Sequence, residues 1–279
     1  MLFLTIAIIT ILTLLVASYA DIKTREVPDW LSYSLIFSAL GIRAIFSVES
    51  GWSIFLSGVL GFTVCFVIAC LFYYTSQWGG GDAKLLMGMG AMIGLAYPFS
   101  ADSFNLLFFF LALLFIGAAY GLLWMLMLAV RKRKLFWLDF KRTIKRYDQL
   151  QLGLLIFTLF LLVLVLFYHF LWPLLFFPLG VFYLFLFINT VEKTCFLKKV
   201  HINDLTEGDW LAEDVNDNSK LILKKKTLEK EDLWKLKESN LKEVLIKEGI
   251  PFIPSFLLAY LLLVFGKGAF SFLSGFLFS

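Results

Sequence analysis

Two aspartates stand out in an otherwise apolar chain, because an ionisable side chain next to hydrocarbon is costly and usually serves a function. Asp21 follows the first apolar stretch, and Asp82 follows three consecutive glycines. Two carboxylates brought together from different helices share one proton, since neighbouring like charges disfavour double ionisation. One carboxylate can then act as a general base on water while the other protonates a scissile carbonyl, which is the arrangement of aspartic peptidases.

The glycines before Asp82 are Gly79, Gly80 and Gly81. Glycine adopts backbone dihedrals that are closed to other residues, and it lets a second backbone approach closely. We therefore expect these glycines to bind an extended substrate beside the carboxylate. The alternative is a flexible loop or a helix start, in which Asp82 only complements the helix dipole.

The elements that must position these carboxylates are membrane spans. The chain is 60% hydrophobic and 16% charged, against about 45–50% and about 25% in soluble domains. Apolar stretches long enough to span a bilayer run from Leu2 to Ala20, Trp30 to Val48, Trp52 to Thr75, Ala83 to Pro98, Phe104 to Val130, Gly153 to Leu171, Pro173 to Val191 and Phe252 to Phe278. We predict an all-α polytopic membrane bundle of about eight spans, with six to eight possible.

Two parts of this assignment have alternatives. The apolar block 153–191 is too long for one helix, which favours a turn at Trp172-Pro173 over a broken or re-entrant helix. The first span resembles a cleaved signal peptide at Ser18-Tyr19-Ala20, but no basic residue precedes it, so we expect it to be retained.

Basic residues predict the orientation of the bundle. If the N-terminus lies outside, Arg43 and Lys267 are the only Lys or Arg residues outside the cytoplasmic segments. Those segments are 21–29, 76–84, 131–152 and 192–251. Because cytoplasmic loops carry an excess of Lys and Arg, Asp21 and Asp82 are both expected at the cytoplasmic face.

The segment 192–250 differs from the rest of the chain. It carries similar numbers of basic and acidic residues, and its alternating patterns at 210–215 and 220–223 predict short strands. Leucines between Leu228 and Leu241 predict an amphipathic helix. We predict a small α+β cytoplasmic module between a membrane core, 1–191, and a C-terminal transmembrane helix, 251–279. Its balanced charge argues against nucleic-acid binding, so the bilayer is the expected non-protein partner.

Other notable residues have structural interpretations. Gly90 and Gly94, like Ser57 and Gly61, are small residues four positions apart, which predicts close helix packing that would hold Asp82 near a neighbouring helix. Lys84 follows Asp82 by two residues, and helical side chains at that spacing do not face each other, so it is interpreted as a membrane-surface anchor.

Metal ligands are not evident in the sequence. The chain has three cysteines and two histidines, without a Cys-x-x-Cys pair, and His169 and His201 lie in unrelated segments. Structural and catalytic zinc sites need three or four ligands at characteristic spacings. We therefore predict no metal and no cofactor.

Both aspartates lie in motifs that resemble those of one family. Asp21-Ile22-Lys23-Thr24-Arg25-Glu26-Val27-Pro28-Asp29 resembles the segment after the first span of prepilin peptidases, and Gly79-Gly80-Gly81-Asp82-Ala83-Lys84 resembles their Gly-x-Gly-Asp motif. The resemblance implies a type IV prepilin or preflagellin peptidase of the cell membrane, with Asp21 and Asp82 catalytic. Its substrates would be prepilin or preflagellin precursors, cut at the cytoplasmic face after a short basic leader.

Two departures refine this resemblance. The chain lacks the four-cysteine cytoplasmic insert of many bacterial members, so their second activity, N-methylation, is not expected. The long cytoplasmic module before the last span is more similar to archaeal members.

A basic leader needs an acidic partner. Glu26 and Asp29 are the acidic residues of the two motifs besides Asp21 and Asp82, and we expect them to bind the leader. The alternative is that they are solvated loop charges that offset nearby basic residues, since exposed pairs contribute little.

Three other functions are considered. A proton- or cation-coupled transporter could use the same carboxylates, although transport sites lie near the midplane in interrupted helices. A non-catalytic assembly factor would use the aspartates only as helix caps. Presenilin-like enzymes also use Gly-x-Gly-Asp, but they pair it with a Tyr-Asp motif inside a helix, whereas Asp21 is at a helix end with Tyr19 two positions before it.

Overall fold

The computed structural model describes residues 1–75, 77–217, 220–239 and 241–277, with backbone alone at 101, 217, 220 and 267–277. The chain forms two compact units. The first comprises Met1–Leu122 and the C-terminal segment from Ile250, and the second is Leu123–Gly249. The predicted span end at Phe278 lies outside the described residues.

Helices dominate both units. They are α1 Leu2–Thr24, α2 Asp29–Ser50, α3 Ser53–Tyr74, α4 Gly80–Ile93, α5 Phe104–Arg131, α6 Arg133–Arg146, α7 Asp148–Phe167, α8 Trp172–Thr194, α9 Lys230–Lys237 and α10 Ile253–Leu277. The strands are β1 Leu197–His201, β2 Trp210–Leu211, β3 Val215–Asp217, β4 Lys220–Leu223 and β5 Glu243–Lys247.

Six helical segments of the described chain are long and apolar enough to cross a membrane: α1, α2, α3, α5, α7 and His169–Thr194, which contains α8. This number lies within the predicted range of six to eight, so the protein is a multi-pass membrane protein. The predicted fourth span is shorter than expected, because α4 ends at Ile93 rather than Pro98. The predicted turn at Trp172-Pro173 lies slightly earlier, since α7 ends at Phe167 and α8 begins at Trp172.

The first unit has a hydrophobic core to which α1, α2, α3, α4, α5 and α10 all contribute. Leu14, Leu35, Leu86, Phe109 and Phe256 are fully buried there, one each from α1, α2, α4, α5 and α10. The C-terminal helix therefore belongs to the same core as the N-terminal helices, although more than 100 residues separate them in sequence.

Glycines bring α3 and α4 into backbone contact, as their spacing predicts. A Cβ added at Gly61 of α3 would overlap the carbonyl oxygen of Gly90 and lie 2.8 Å from Gly94 Cα. Close approach of this kind replaces the hydrophobic driving force that helices lack inside a bilayer. It fixes the position of α4, and so of Asp82.

Arg43 has a structural role that the charge count did not predict. Its side chain, on α2, is buried, and its Nε and Nη2 atoms donate to the carbonyls of Ala91, Met92 and Ile93 at 2.7–3.0 Å. Nη1 donates to Ser57 Oγ at 2.7 Å. The last carbonyls of a helix have no intrahelical partner. At the end of α4 the Arg43 guanidinium donates to these carbonyls.

The second unit contains a helix within the predicted basic loop 131–152. In α6, Phe136 is buried in a cluster with Val191 and Cys195 from the end of α8. Lys132, just before α6, donates to the Cys195 carbonyl at 2.8 Å. The basic residues of this segment were interpreted only as an orientation signal, and this structural use of the segment was not predicted.

The rest of the second unit is the expected small α+β module. Strands β1, β5 and β2 form an antiparallel sheet in that order, and β3 pairs with β4. Leu211, Leu228 and Leu236 are fully buried in its core. The predicted strand at 220–223 is present as β4, whereas the predicted strand at 210–215 is interrupted, with β2 at Trp210–Leu211 and β3 beginning at Val215. Strands β1 and β5 were not predicted.

Candidate active site

Asp21 lies in the last turn of α1, which continues past the predicted end at Ala20 to Thr24. Arg25 ends the helix in the left-handed conformation, with φ 61° and ψ 20°, and its N–H donates to the Asp21 carbonyl at 2.9 Å. The Asp21 side chain is buried, with 6% of its surface exposed. A buried carboxylate needs hydrogen-bond donors nearby.

Those donors come from the start of α10. The backbone N–H of Ile253 donates to Asp21 Oδ2 at 2.8 Å, and the backbone N–H of Phe252 is a further donor. Neither residue was predicted to belong to the site. No signal in the sequence could have found them, because every residue except proline carries a backbone N–H.

Asp82 lies in the first turn of α4 and is half-buried. Its carboxylate accepts a hydrogen bond from the backbone N–H of Gly79, and it lies within electrostatic range of Asp21. The structure therefore brings the two aspartates together, with α1 and α4 each contributing one carboxylate to a single site.

The three glycines have ordinary backbone conformations, contrary to the expectation of special dihedrals. Gly79 has φ −71° and ψ 163°, and Gly80 and Gly81 form the start of α4. Gly81 instead permits a close approach, because an added Cβ would lie 3.2 Å from Val27 Cβ. A role of Gly79, Gly80 and Gly81 in substrate binding remains a prediction.

The two further acidic residues have different surroundings. Glu26 is exposed. Asp29, in the first turn of α2, forms an ion pair with Lys84 of α4, at 2.6 Å between Oδ1 and Nζ. The Lys84 ammonium also lies 5.6 Å from the centroid of the Tyr33 ring. Lys84 therefore connects the two aspartate motifs, a role that its spacing from Asp82 did not indicate.

Tyr120 is a further polar group at the site that the sequence did not single out. It is half-buried on α5 and lies within electrostatic range of Asp21 and Arg25. A tyrosine in the apolar run of α5 only weakly indicates a site residue, because tyrosine is also common at membrane interfaces.

Aromatic rings surround the approach to Asp82. Trp78, one residue before the glycines, stacks on Phe72 with ring centroids 4.8 Å apart. Its ring centroid also lies 5.6 Å from that of Phe252 and 5.9 Å from that of Phe256. The segment that leads into α4 and the start of α10 are thus packed against each other.

The described residues contain no group of three or more His, Cys, Asp or Glu side chains that could hold a metal ion. The chemistry that the site can perform with its own groups is proton transfer between paired carboxylates and a bound water. A pair of this kind suits hydrolysis of a peptide bond.

Comparison with known proteins gives a consistent result. Residues 8–122 match the model of the type IV leader peptidase family. A preflagellin peptidase of Methanococcus voltae is 37% identical over 92 residues, which is 32% of this chain and 39% of that protein. A preflagellin peptidase of Methanocaldococcus jannaschii is 37% identical over 81 residues, 29% of this chain and 34% of that protein.

A third relative, a preflagellin peptidase of Methanococcus maripaludis, is 35% identical over 91 residues, 31% of this chain and 37% of that protein. The match thus covers less than two fifths of the length of these relatives. Both aspartates lie inside the segment that matches the family, whereas α10 lies outside it.

Proposed function

We propose that the chain is a membrane aspartic endopeptidase, and the match of residues 8–122 to the model of the type IV leader peptidase family supports this proposal. Its substrates are preflagellin or prepilin precursors, from which it removes a short basic leader. The observation that carries this proposal is the single site formed by Asp21 of α1 and Asp82 of α4.

The chemistry follows from a pair of carboxylates that hold one proton. The ionised carboxylate takes a proton from water while the water oxygen attacks the scissile carbonyl carbon, and the protonated carboxyl gives its proton to the carbonyl oxygen. The tetrahedral diol then collapses. One hydroxyl returns its proton to the second carboxylate, and the departing amine takes a proton from the first, so the pair regains its starting state.

The cleavage site faces the cytoplasm in this proposal. The last turn of α1 and the first turn of α4 carry the aspartates, and the segments 21–29 and 76–84 belong to the basic side of the chain. Single cysteines at positions 131, 225 and 102 test this orientation with a membrane-impermeant label. We expect position 102 to react from outside and positions 131 and 225 to be protected, and labelling of 225 from outside would overturn the orientation.

Substitution of each aspartate tests the activity. Asp21→Asn and Asp82→Asn should each lower cleavage of a preflagellin precursor by orders of magnitude, because one carboxylate cannot serve as both acid and base. Asp102→Asn, an exposed aspartate outside the site, is the matched control. The new N-terminus is identified by mass spectrometry. Cleavage above a few per cent in a correctly inserted Asp21→Asn or Asp82→Asn variant would contradict the aspartate assignment.

Metal dependence distinguishes the mechanism. We expect a chelator to leave cleavage unchanged, and inhibition that added zinc reverses would contradict an aspartic mechanism. The alternative of a proton- or cation-coupled transporter is not favoured, because the matched family and its relatives are peptidases.

A further inference from the structure

The start of α10 contacts Asp21 directly, although 232 residues separate the two in sequence. The N–H of Ile253, the first residue of α10, donates to Asp21 Oδ2 at 2.8 Å in a buried environment. The Phe252 N–H is the second backbone donor from this turn. The first N–H groups of a helix lack intrahelical acceptors, so the carboxylate of α1 completes the N-terminus of α10.

The start of α10 is held in place on two sides. A Cβ added at Gly117 of α5 would lie 2.6 Å from Phe252 Cε2, so the ring of Phe252 packs directly on that glycine. On the other side the same ring contacts Trp78, which precedes the segment leading to Asp82. Ile253 and Phe256 are fully buried. The donors are therefore rigidly placed, as a preorganised site requires.

The charged and polar groups around the two aspartates differ. Around Asp21 are the two backbone donors of α10, the cationic Arg25 of its own helix, Tyr120 of α5 and Asp82 of α4. Burial disfavours the ionised form of both carboxylates. At Asp21 the donors to the charged form, a nearby cation and a helix N-terminus act against this effect and favour the ionised carboxylate.

Asp82 has a less favourable balance. It lies in the first turn of α4 and accepts from the Gly79 N–H, which both favour ionisation, but no cation of the described residues acts on it, and the negative charge of Asp21 disfavours ionisation of a second carboxylate. Two carboxylates in unequal surroundings divide the roles of base and acid between them.

We infer that the backbone amides of Phe252 and Ile253 position Asp21 and hold it as the ionised member of the pair, so that Asp21 is the base and Asp82 the acid. This inference rests on the proposed function. It also assigns a positioning role to a helix that lies outside the segment matching the family, residues 8–122. The unit needed for cleavage would then include α10.

Ile253→Pro is the sharpest test, because it removes the N–H donor at a position where proline is tolerated. Ile253 is the first residue of α10, and proline suits the first helical position. Ile253→Val is the matched control, since valine has as many side-chain carbons as proline and keeps the N–H. Both variants are made in the full chain and assayed on a preflagellin precursor.

We expect kcat of Ile253→Pro to fall at least about tenfold below that of Ile253→Val, as for loss of a hydrogen bond to a charged group. KM should be unchanged, because the lost bond does not contact the substrate. The acidic limb of the kcat–pH profile should move to higher pH, since the ionised form of Asp21 loses a donor. A purely structural role of Ile253 would not move this limb.

Replacement of residue 253 by the α-hydroxy analogue of isoleucine is the second test. This replacement exchanges the N–H for an ester oxygen while keeping the side chain. It tests the role of the Ile253 N–H even if Ile253→Pro does not accumulate in the membrane. Equal kcat and equal pH profiles for the ester variant and the wild type would overturn the inference. If Asp21→Asn is inactive at the same time, the proposed function stands; if Asp21→Asn cleaves normally, the proposed function itself fails.

Discussion

Lys84 Nζ lies 2.6 Å from Asp29 Oδ1, so each of the two aspartate motifs contributes one residue to a shared ion pair. Lys84 belongs to the first turns of α4, near Asp82, and Asp29 begins α2. The side chains are 33% and 61% exposed, respectively, so the pair lies at the surface of the protein. The pair therefore links the two helix starts but contributes little to holding them in place.

Breaking this pair should reduce cleavage only modestly. Exposed ion pairs contribute about 0.2–1 kcal/mol, so Lys84→Met or Asp29→Asn should lower the cleavage rate by at most about fivefold. The double variant should lose no more than either single variant, because both remove the same interaction. Lys23→Met is the control, since its ammonium lies over the Tyr19 ring instead. Losses that add up in the double variant would mean that the pair does not act as a unit.

Glu26 is the better candidate for contact with a basic leader. Its carboxylate is exposed, whereas the charge of Asp29 is already offset by Lys84. Glu26→Gln should therefore raise KM for a leader with Lys or Arg before the cut more than Asp29→Asn does. The effect should shrink in high salt, as screened attraction does.

A leader whose basic residue is replaced by glutamine is the control substrate for Glu26. Its KM should be the same for the wild type and for Glu26→Gln. Equal changes of KM for both leaders would mean that Glu26 is a solvated loop charge that does not contact the leader.

The contact between α3 and α4 should be intolerant of one methyl group. In Gly61→Ala the added Cβ would overlap the Gly90 carbonyl, a backbone atom that cannot rotate away. Overpacking of this kind costs about 1–3 kcal/mol. We expect a lower thermal unfolding midpoint in detergent and a lower cleavage rate, because α4 carries Asp82. Gly121→Ala is the control, since nothing lies within 4 Å of its added Cβ, and equal midpoints would contradict the close packing.

Replacing Arg43 should destabilise the first unit. Arg43→Met would leave the carbonyls of Ala91, Met92 and Ile93 without their guanidinium donors. Each unsatisfied buried acceptor costs about 1–3 kcal/mol, so the sum should exceed about 3 kcal/mol. Arg142→Met, at a side chain that is 73% exposed, is the control. Denaturation in detergent measures the difference, and equal stability of the two variants would exclude a structural role of Arg43.

Asp232 should make the α+β module sensitive to acid. Burial opposes ionisation of Asp232, but the Lys226 ammonium at 2.6 Å and the Glu229 N–H outweigh it and hold the pKa of Asp232 below its usual range. A lowered pKa contributes stability above the unfolded pKa of about 3.9, and that stability is lost as pH falls through the lower folded pKa.

Hydrogen exchange of the module in the full chain, corrected for the intrinsic rate at each pH, measures this loss. Protection should decrease below about pH 4 in the wild type. It should already be lower at neutral pH in Asp232→Asn, with a weaker dependence on acid. Glu231→Gln, at an exposed neighbour, should behave as the wild type. An unchanged acid response in Asp232→Asn would contradict the assignment.

The pairing of Asp21 with Asp82 could be predicted from the sequence because both are charged residues that flank apolar stretches. Such residues cannot face lipid cheaply, so their number is small and their positions at span ends are informative. Close helix packing at Gly61 and at Gly90 was predicted for a similar reason, since small residues four positions apart form one face of a helix. That these two glycines pack against each other was not predicted.

The partners of those residues could not be predicted. The N–H of Ile253 reaches Asp21 only because α10 packs against the N-terminal helices. A backbone N–H is common to all residues except proline, so the sequence does not mark it as a donor. The hydrogen bonds of Arg43 were not predicted, because they depend on the carbonyls that a folded α4 presents. The pairing of Lys84 with Asp29 depends on the relative position of two helices, which spacing along one helix does not reveal.

The length of α4 has a consequence for the surrounding lipid. Its 14 residues rise about 21 Å at 1.5 Å per residue, whereas the hydrocarbon core is about 30 Å thick. In the proposed orientation the Asp82 end lies at the aqueous boundary, and the other end would then stop at a depth where water is scarce and free carbonyls are intolerable. The Arg43 guanidinium takes the place of water there. The protein would thus accommodate a hydrophobic mismatch within itself, and the bilayer need not thin around α4.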